Sequence, residues 1–201
     1  MEIWGKVQGH GDKPNANVPI VTDKVDVSNS RVYYYSGISD DKILDLNKAL
    51  RDLSIKHRQG AIITEQPPAK IYLHIQSYGG SIFAGVSGMN TISEIKKDLP
   101  VITIVDGCAA SAGTFLSVVG TERWIRRNAF MLIHQLNSGF WGKYADIKDE
   151  VENLDRLMVM IKRTYKEYTK VPMSKLDAIL KRDIWWDAET CKKYGLIDKI
   201  I

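Results

Sequence analysis

Three side chains of this sequence have the types needed for nucleophilic catalysis: a serine among small residues, a histidine closing an apolar run, and a carboxylate near the C-terminus. Ser111 follows the β-branched run Val101 to Val105, which reads as a buried strand broken at Asp106-Gly107. After it, Ala112-Gly113-Thr114-Phe115-Leu116 reads as the first turns of a helix. A hydroxyl held between strand and helix lies beside the helix's unpaired N–H groups, which can stabilise the oxyanion formed when it attacks a carbonyl. The pentapeptide Ala109-Ala110-Ser111-Ala112-Gly113 matches the G-x-S-x-G elbow only loosely, because its first position is Ala. Taken alone, it reads more simply as a small-residue helix start packed against a neighbour, with Ser111 as its N-cap.

Such a serine needs a base, a group that orients the base, and oxyanion donors. His134 ends the apolar run Ala129 to Ile133, where a side chain projects into a cleft, and it is the best base. His57 belongs to a charged helix end, His10 to a loose N-terminal arm, and His74 to a strand face. The competing reading of His134 is a hydrogen-bonded core histidine. Asp183 sits at a helix-to-strand junction, as either a solvated helix-end charge or a buried orienter, and spacing does not choose. Asp187 is better explained as an N-cap and Asp198 as a terminal surface charge. Gly79 and Gly80, between a strand and a helix, let backbone N–H groups approach a ligand closely; the plainer reading is a tight turn.

The elements that must place these groups follow a strand–turn–helix rhythm, and the fold class is α/β. Residues 1 to about 30 read as an irregular arm with room for one hairpin, built around Val18, Ile20, Val21, Val25 and Val27. Val32 to Tyr35 is a strand. Ser39-Asp40-Asp41 caps a helix with Ile43, Leu46, Leu50 and Leu53 on one face. Gly60 to Ala69, with Pro67-Pro68, reads as a linker. Lys70 to Gln76 is a second strand, with Tyr72, His74 and Gln76 on a half-exposed face, and a helix then runs from Ile82 towards Pro100. Arg123 to Arg126 and Ala129 to Ile133 are further strands. Asn137 to Gly142 is a flexible segment with exposed aromatics. A long helix runs from Tyr144 to about Thr169, with Ile147, Val151, Leu154, Met158, Ile161 and Tyr165 on one stripe. At roughly 1.5 Å per residue it approaches 40 Å, longer than a small domain needs to cover its own sheet, so part of it is expected to pack on another subunit. A short helix (Ser174 to Lys181), a last helix capped by Asp187 and ended by Gly195, and Leu196-Ile197-Asp198 close the chain.

Composition bounds the function classes. With 201 residues, 44% apolar and 26% charged, the chain suits one α/β domain with a real core. Its 28 basic and 24 acidic residues leave a net charge of +4, and they are scattered, so nucleic-acid binding gains no support. No apolar run approaches the roughly 18 to 20 residues that span a bilayer. The N-terminus lacks the apolar core of a signal peptide. Cys108 and Cys191 have no metal-ligand spacing, no metal or other cofactor is expected, and a cytoplasmic protein with reduced thiols is the economical reading. Cys108 reads as a packed thiol rather than the nucleophile.

Taken together, SYGGSIFAG, DGCAASAGTFL, FMLIHQLNSGFWGKYADI and KRDIWWDAETCKKYGLIDKI resemble, in order and spacing, the Clp protease proteolytic subunit (ClpP) family, over about Arg31 to Ile201. The resemblance implies a ClpP/crotonase-like repeated β-β-α superhelix with a protruding long handle helix at about 144–169, and one peptidase domain (31–201) behind a divergent N-terminal arm (1–30). It implies Ser111 as nucleophile, His134 as general base, Asp183 as orienter, and the backbone N–H groups of Gly80 and Ala112 as oxyanion donors. It implies that Gly79 and the segment Gln135, Leu136, Asn137, Ser138 and Gly139 bind an extended peptide by main-chain pairing. It also implies two heptameric rings stacked into a tetradecamer that encloses unfolded polypeptides. An AAA+ unfoldase of the ClpX, ClpA or ClpC type would feed that chamber and use the ATP.

The sequence departs from the family at several places. Tyr78 stands where the family has Pro in Ser-Pro-Gly-Gly, and the N-terminal arm does not match. On the docking face Tyr72 fits a family aromatic, but His74 stands for another and Glu94 for an apolar residue. Two residues are extra around Leu99-Pro100, and about two are missing between Ser111 and His134. Such divergence would suit a viral or accessory member that joins host ClpP-like subunits or uses none. Two other readings stay open here: a non-catalytic subunit shaping a mixed ring, and a crotonase-type acyl-CoA enzyme. A serine–lysine peptidase using Lys143 or Lys148 is a weaker variant.

Overall fold

The computed structural model describes residues 24–201. Strands β1 (Lys24–Ser28), β2 (Arg31–Tyr35), β3 (Ile71–Ser77), β4 (Val101–Ala110), β5 (Glu122–Ile125) and β7 (Lys199–Ile200) lie side by side in the order β1-β2-β3-β4-β5-β7. The remaining strand, β6 (Phe130–Leu132), pairs with β4 off that path. Only β1 runs antiparallel to its neighbour; the other pairings are parallel. The helices are α1 (Asp40–Thr64), α2 (Ile82–Ile95), α3 (Gly113–Val118), α4 (Tyr144–Tyr168), α5 (Met173–Leu180) and α6 (Ala188–Lys193). The predicted α/β class therefore holds, with a mostly parallel sheet.

The core forms where helical stripes meet the central strands. Ile71, Leu73 and Ile75 of β3 and Val101, Ile102, Ile104 and Val105 of β4 are buried, as a parallel sheet covered by helices requires. Ile43, Leu46 and Leu50 of α1, Ile92 and Ile95 of α2, and Phe115 and Leu116 of α3 complete it. Asp187 caps α6 as expected, its side chain accepting from the Thr190 N–H at 2.8 Å.

Several expectations are corrected. The N-terminal arm, predicted to be irregular to about residue 30, gives way to sheet by Lys24: β1 and β2 form a hairpin whose turn places Asn29 at φ 54°. The earlier part of that arm, with Val18, Ile20 and Val21, lies outside the described residues. The predicted linker from Gly60 is helix as far as Thr64. A glycine weakens a helix by only about 1 kcal/mol, and here the Thr64 hydroxyl donates back to the Gly60 carbonyl. Glu65, left-handed at φ 54°, ends α1 instead.

The predicted break at Asp106-Gly107 is a change of partner. Up to Val105 β4 pairs with β5, and from Cys108 it pairs with β6, so the strand reaches Ala110. His74 is buried, 3% exposed, not half exposed. Its Nδ1 lies 2.7 Å from Asp106, and the Arg31 guanidinium, which can only donate, lies 2.8 Å from its Nε2, so Nε2 accepts from Arg31 while Nδ1 faces the carboxylate. Asp198 is no simple surface charge: Arg123 binds it while donating to the carbonyls of Tyr168 and Gly195. That one guanidinium ties β5, the end of α4 and the C-terminal segment together.

Candidate active site

Ser111 stands between β4 and α3, where the sequence places it, but not as an N-cap: α3 is capped at Ala112. Ser111 has φ 52°, the left-handed region that costs a residue with a Cβ about 1–2 kcal/mol. Its N–H donates to the Leu132 carbonyl at 2.9 Å and its carbonyl accepts from the Thr114 N–H at 3.0 Å, so neighbours on both sides hold the turn. Strain of this kind, held by surrounding bonds, projects the side chain away from the strand.

The two glycines beside it have steric reasons to be glycine. A Cβ on Gly79 would come within 2.6 Å of the Ser111 Cβ, and one on Gly80 would sit 2.3 Å from the Ile38 carbonyl oxygen. Both also have positive φ, 96° and 146°. Ile38 clamps this loop from the other side, donating to the Gly79 carbonyl at 2.8 Å and accepting from the Ser81 N–H at 2.7 Å. Among the described residues, the N–H groups of Gly80 and Ala112 donate to no acceptor.

A cavity of about 510 Å³ opens beside Ser111, lined by Gly80, Ser81, Ala112, His134, Gln135 and Asn137. Its apolar wall is Ile82, Phe115, Leu136, Ile161 and Tyr165. Ser111 is itself part of the lining, so the serine, the histidine and the two residues with unpaired N–H groups border one space. His134 lies 3.0 Å from Asp183 through Nδ1, leaving Nε2 for another partner. Among the described residues Ser111 Oγ makes no hydrogen bond to His134, although both line the cavity. Asp183, whose side chain is 77% exposed, is solvated rather than buried, yet it bonds to His134.

Of the predicted peptide-binding residues, Gln135, Leu136 and Asn137 line the cavity, Gly79 packs under Ser111, and Ser138 and Gly139 lie outside it. Gln135 donates its N–H to the Leu180 carbonyl at 2.7 Å. The segment from Gln135 to Gly139 is not part of any strand. Lys143 caps α4 and Lys148 lies over the Tyr144 ring, neither in the cavity lining. Cys108 is buried, and burial raises its thiol above the ordinary range, which suits packing rather than attack. The described residues contain no cluster of His, Cys, Asp and Glu able to hold a metal.

Sequence reasoning did not find the apolar wall as a wall. Ile82, Phe115, Ile161 and Tyr165 come from three helices, and their common signal, helical periodicity, marks core in general. Comparison with known families adds the last observation: the Clp protease family model matches residues 28–201. That match covers nearly every described residue, including the Ser111 elbow, His134 and Asp183, and the chain belongs to the Clp protease family.

Proposed function

We propose that this chain is a serine endopeptidase that uses Ser111, His134 and Asp183, and that it is the proteolytic subunit of a ring-shaped chamber. Membership of the Clp protease family makes it ClpP-like, and a peptidase of the serine type fits that family. The observation that carries the finer reading is the shared cavity: a serine at φ 52°, a histidine bonded to a carboxylate at 3.0 Å, and two residues with unpaired N–H groups all border the same space.

In this reading Ser111 Oγ attacks the scissile carbonyl carbon and its proton passes to His134 Nε2. The negative charge gained by the substrate oxygen is met by the Gly80 and Ala112 N–H groups. Collapse breaks the C–N bond, and the leaving amine takes the proton from His134. Water, deprotonated by the same imidazole, then hydrolyses the acyl ester and restores Ser111. Asp183 holds the imidazole with its proton on Nδ1. The approach of Oγ to Nε2 follows from a serine side-chain rotation or from substrate binding, since such bonds commonly tighten only in the complex.

The segment Gln135 to Gly139 belongs to no strand, and the main-chain groups beyond the bonded N–H of Gln135 and Leu136 would serve a peptide, which favours unfolded polypeptide with little sequence preference. Family membership carries the general habit of forming rings with AAA+ partners. The proposed assembly is two rings of seven, joined through α4, with an unfoldase or host ClpP-like subunits completing it. A cytoplasmic setting is part of the same proposal; among the described residues no helix is long and apolar enough to cross a membrane.

The test is covalent labelling with a fluorophosphonate, followed by peptide mapping. The expected adduct is on Ser111 Oγ and is absent from Ser111→Ala, which also lacks peptidase activity. A label elsewhere, or peptidase activity that survives Ser111→Ala, overturns the reading.

A further inference from the structure

The Ser111 carbonyl accepts two hydrogen bonds, and the second comes through a chain of hydroxyls that begins on α4. Thr114 Oγ1 donates to the Ser111 carbonyl oxygen at 2.6 Å and lies 2.7 Å from the Tyr165 hydroxyl. A carbonyl has no proton to give, so the single Thr114 hydroxyl proton is committed to Ser111. The Tyr165 O–H must then donate to Thr114. Both side chains are buried, and Tyr165 forms part of the cavity wall beside Ser111 and His134. Burial also keeps the phenol protonated and so able to donate, by raising its pKa.

The consequence lies in one peptide unit. The Ser111 C=O and the Ala112 N–H belong to the same trans amide, so they point in opposite directions within one plane. Fixing the carbonyl fixes where the N–H aims. A carbonyl that accepts two hydrogen bonds, one of them from a hydroxyl polarised by a further donor, also belongs to a cooperative chain that strengthens the N–H at its other end.

We propose that Tyr165 and Thr114 are positioning residues: through the Ser111–Ala112 amide they aim the Ala112 N–H at the developing oxyanion and couple α4 to the nucleophile's turn. This rests on the reading of Ser111 as nucleophile and of Ala112 as an oxyanion donor. A donor that is aimed at charge formed only in the transition state acts on kcat rather than on KM.

The test uses the full chain in its native oligomeric state, with an unstructured fluorogenic peptide as substrate. Tyr165→Phe keeps the ring and removes only the hydroxyl; about a fivefold fall in kcat is expected, the effect of one hydrogen bond. Thr114→Val removes the donor to Ser111, and a fall of about tenfold or more is expected, while Thr114→Ser restores activity. KM stays within about twofold throughout. The double variant Thr114→Val/Tyr165→Phe should be no slower than Thr114→Val alone, because both act through one carbonyl.

Unchanged kcat in both single variants, a change confined to KM, additive losses in the double variant, or losses that track the unfolded fraction on thermal denaturation would each overturn the relay. A wild-type protein that neither hydrolyses the peptide nor takes a fluorophosphonate label instead removes the reading of Ser111 on which the relay stands.

Discussion

At the scale of single residues, the most informative side chain is Asp183. An orienting carboxylate buried behind its histidine is worth about 10⁴ in kcat, because it fixes the tautomer in a medium of low dielectric. Asp183 makes the same kind of bond to His134 Nδ1 from an exposed position, where water screens the interaction and can take the carboxylate's place. Asp183→Asn is therefore expected to lower kcat by about 10- to 1,000-fold, well short of the buried case, with little change in thermal stability. Steady-state kinetics beside a melting curve checks it. A loss as large as that of Ser111→Ala would mean that assembly buries the carboxylate. The types of these residues and their order were legible in the sequence, and so were the paired glycines. The left-handed backbone of Ser111 was not, since any serine between strand and helix reads the same until its φ is known. Thr114 and Tyr165 were illegible for a related reason: their role depends on contacts 51 positions apart.

At the scale of elements, the sheet is pinned where β4 changes partner, and the pin is Asp106. One carboxylate oxygen takes the Tyr35 hydroxyl and His74 Nδ1, each at 2.7 Å, and the other takes Arg126 at 3.0 Å. These contacts join β2, β3, β4 and the segment after β5. Burial alone would raise the Asp106 carboxyl, but the bonds from His74, Tyr35 and Arg126 outweigh it and hold the pKa below the usual value. A carboxylate with a depressed folded-state pKa stabilises the fold fully above its unfolded value of about 4, and that stabilisation fades as pH falls through the folded value. The urea midpoint of the wild type should therefore drop below about pH 4. Asp106→Asn should cost about 2–3 kcal/mol at pH 7 and flatten that acid limb; an equally steep limb in the variant would assign it to other carboxylates. Apolar alternation placed β3 correctly and a continuous β-branched run placed the start of β4, because burial on one or both sheet faces leaves those patterns directly. Alternation failed at His74, which sits at a polar position of the pattern yet is buried by a network whose members lie on four segments. Local pattern records which face a residue occupies, not whether the polar face finds partners.

At the scale of the whole molecule, α4 buries far less of its length than α1, a helix of the same 25 residues. Its 25 residues bury only Ile161, Thr164 and Tyr165, all in the second half, while Tyr144, Ile147 and Val151 are exposed. Those three recur at intervals of three and four, so they share one face of the helix. The sequence already showed a stripe too long for one small domain; what it could not show is where the stripe leaves the core, which needs the position of the sheet. Burying three such side chains stabilises a contact by about 1.5–3 kcal/mol each, comparable with the cost of associating two chains. One pair of helices would then be marginal, whereas seven pairs brought together by two rings bind as a unit, because each contact after the first is effectively intramolecular. Ile147→Glu with Val151→Glu places like charges on that face and should divide the proposed fourteen-subunit particle into rings of seven, seen as halved mass in native mass spectrometry. The isolated fold should keep its melting temperature, since neither side chain is buried within the chain. A variant that still runs as fourteen subunits would move the contact between rings away from this face of α4. A wild type of one or two subunits would remove the chamber and leave a peptidase open to solvent.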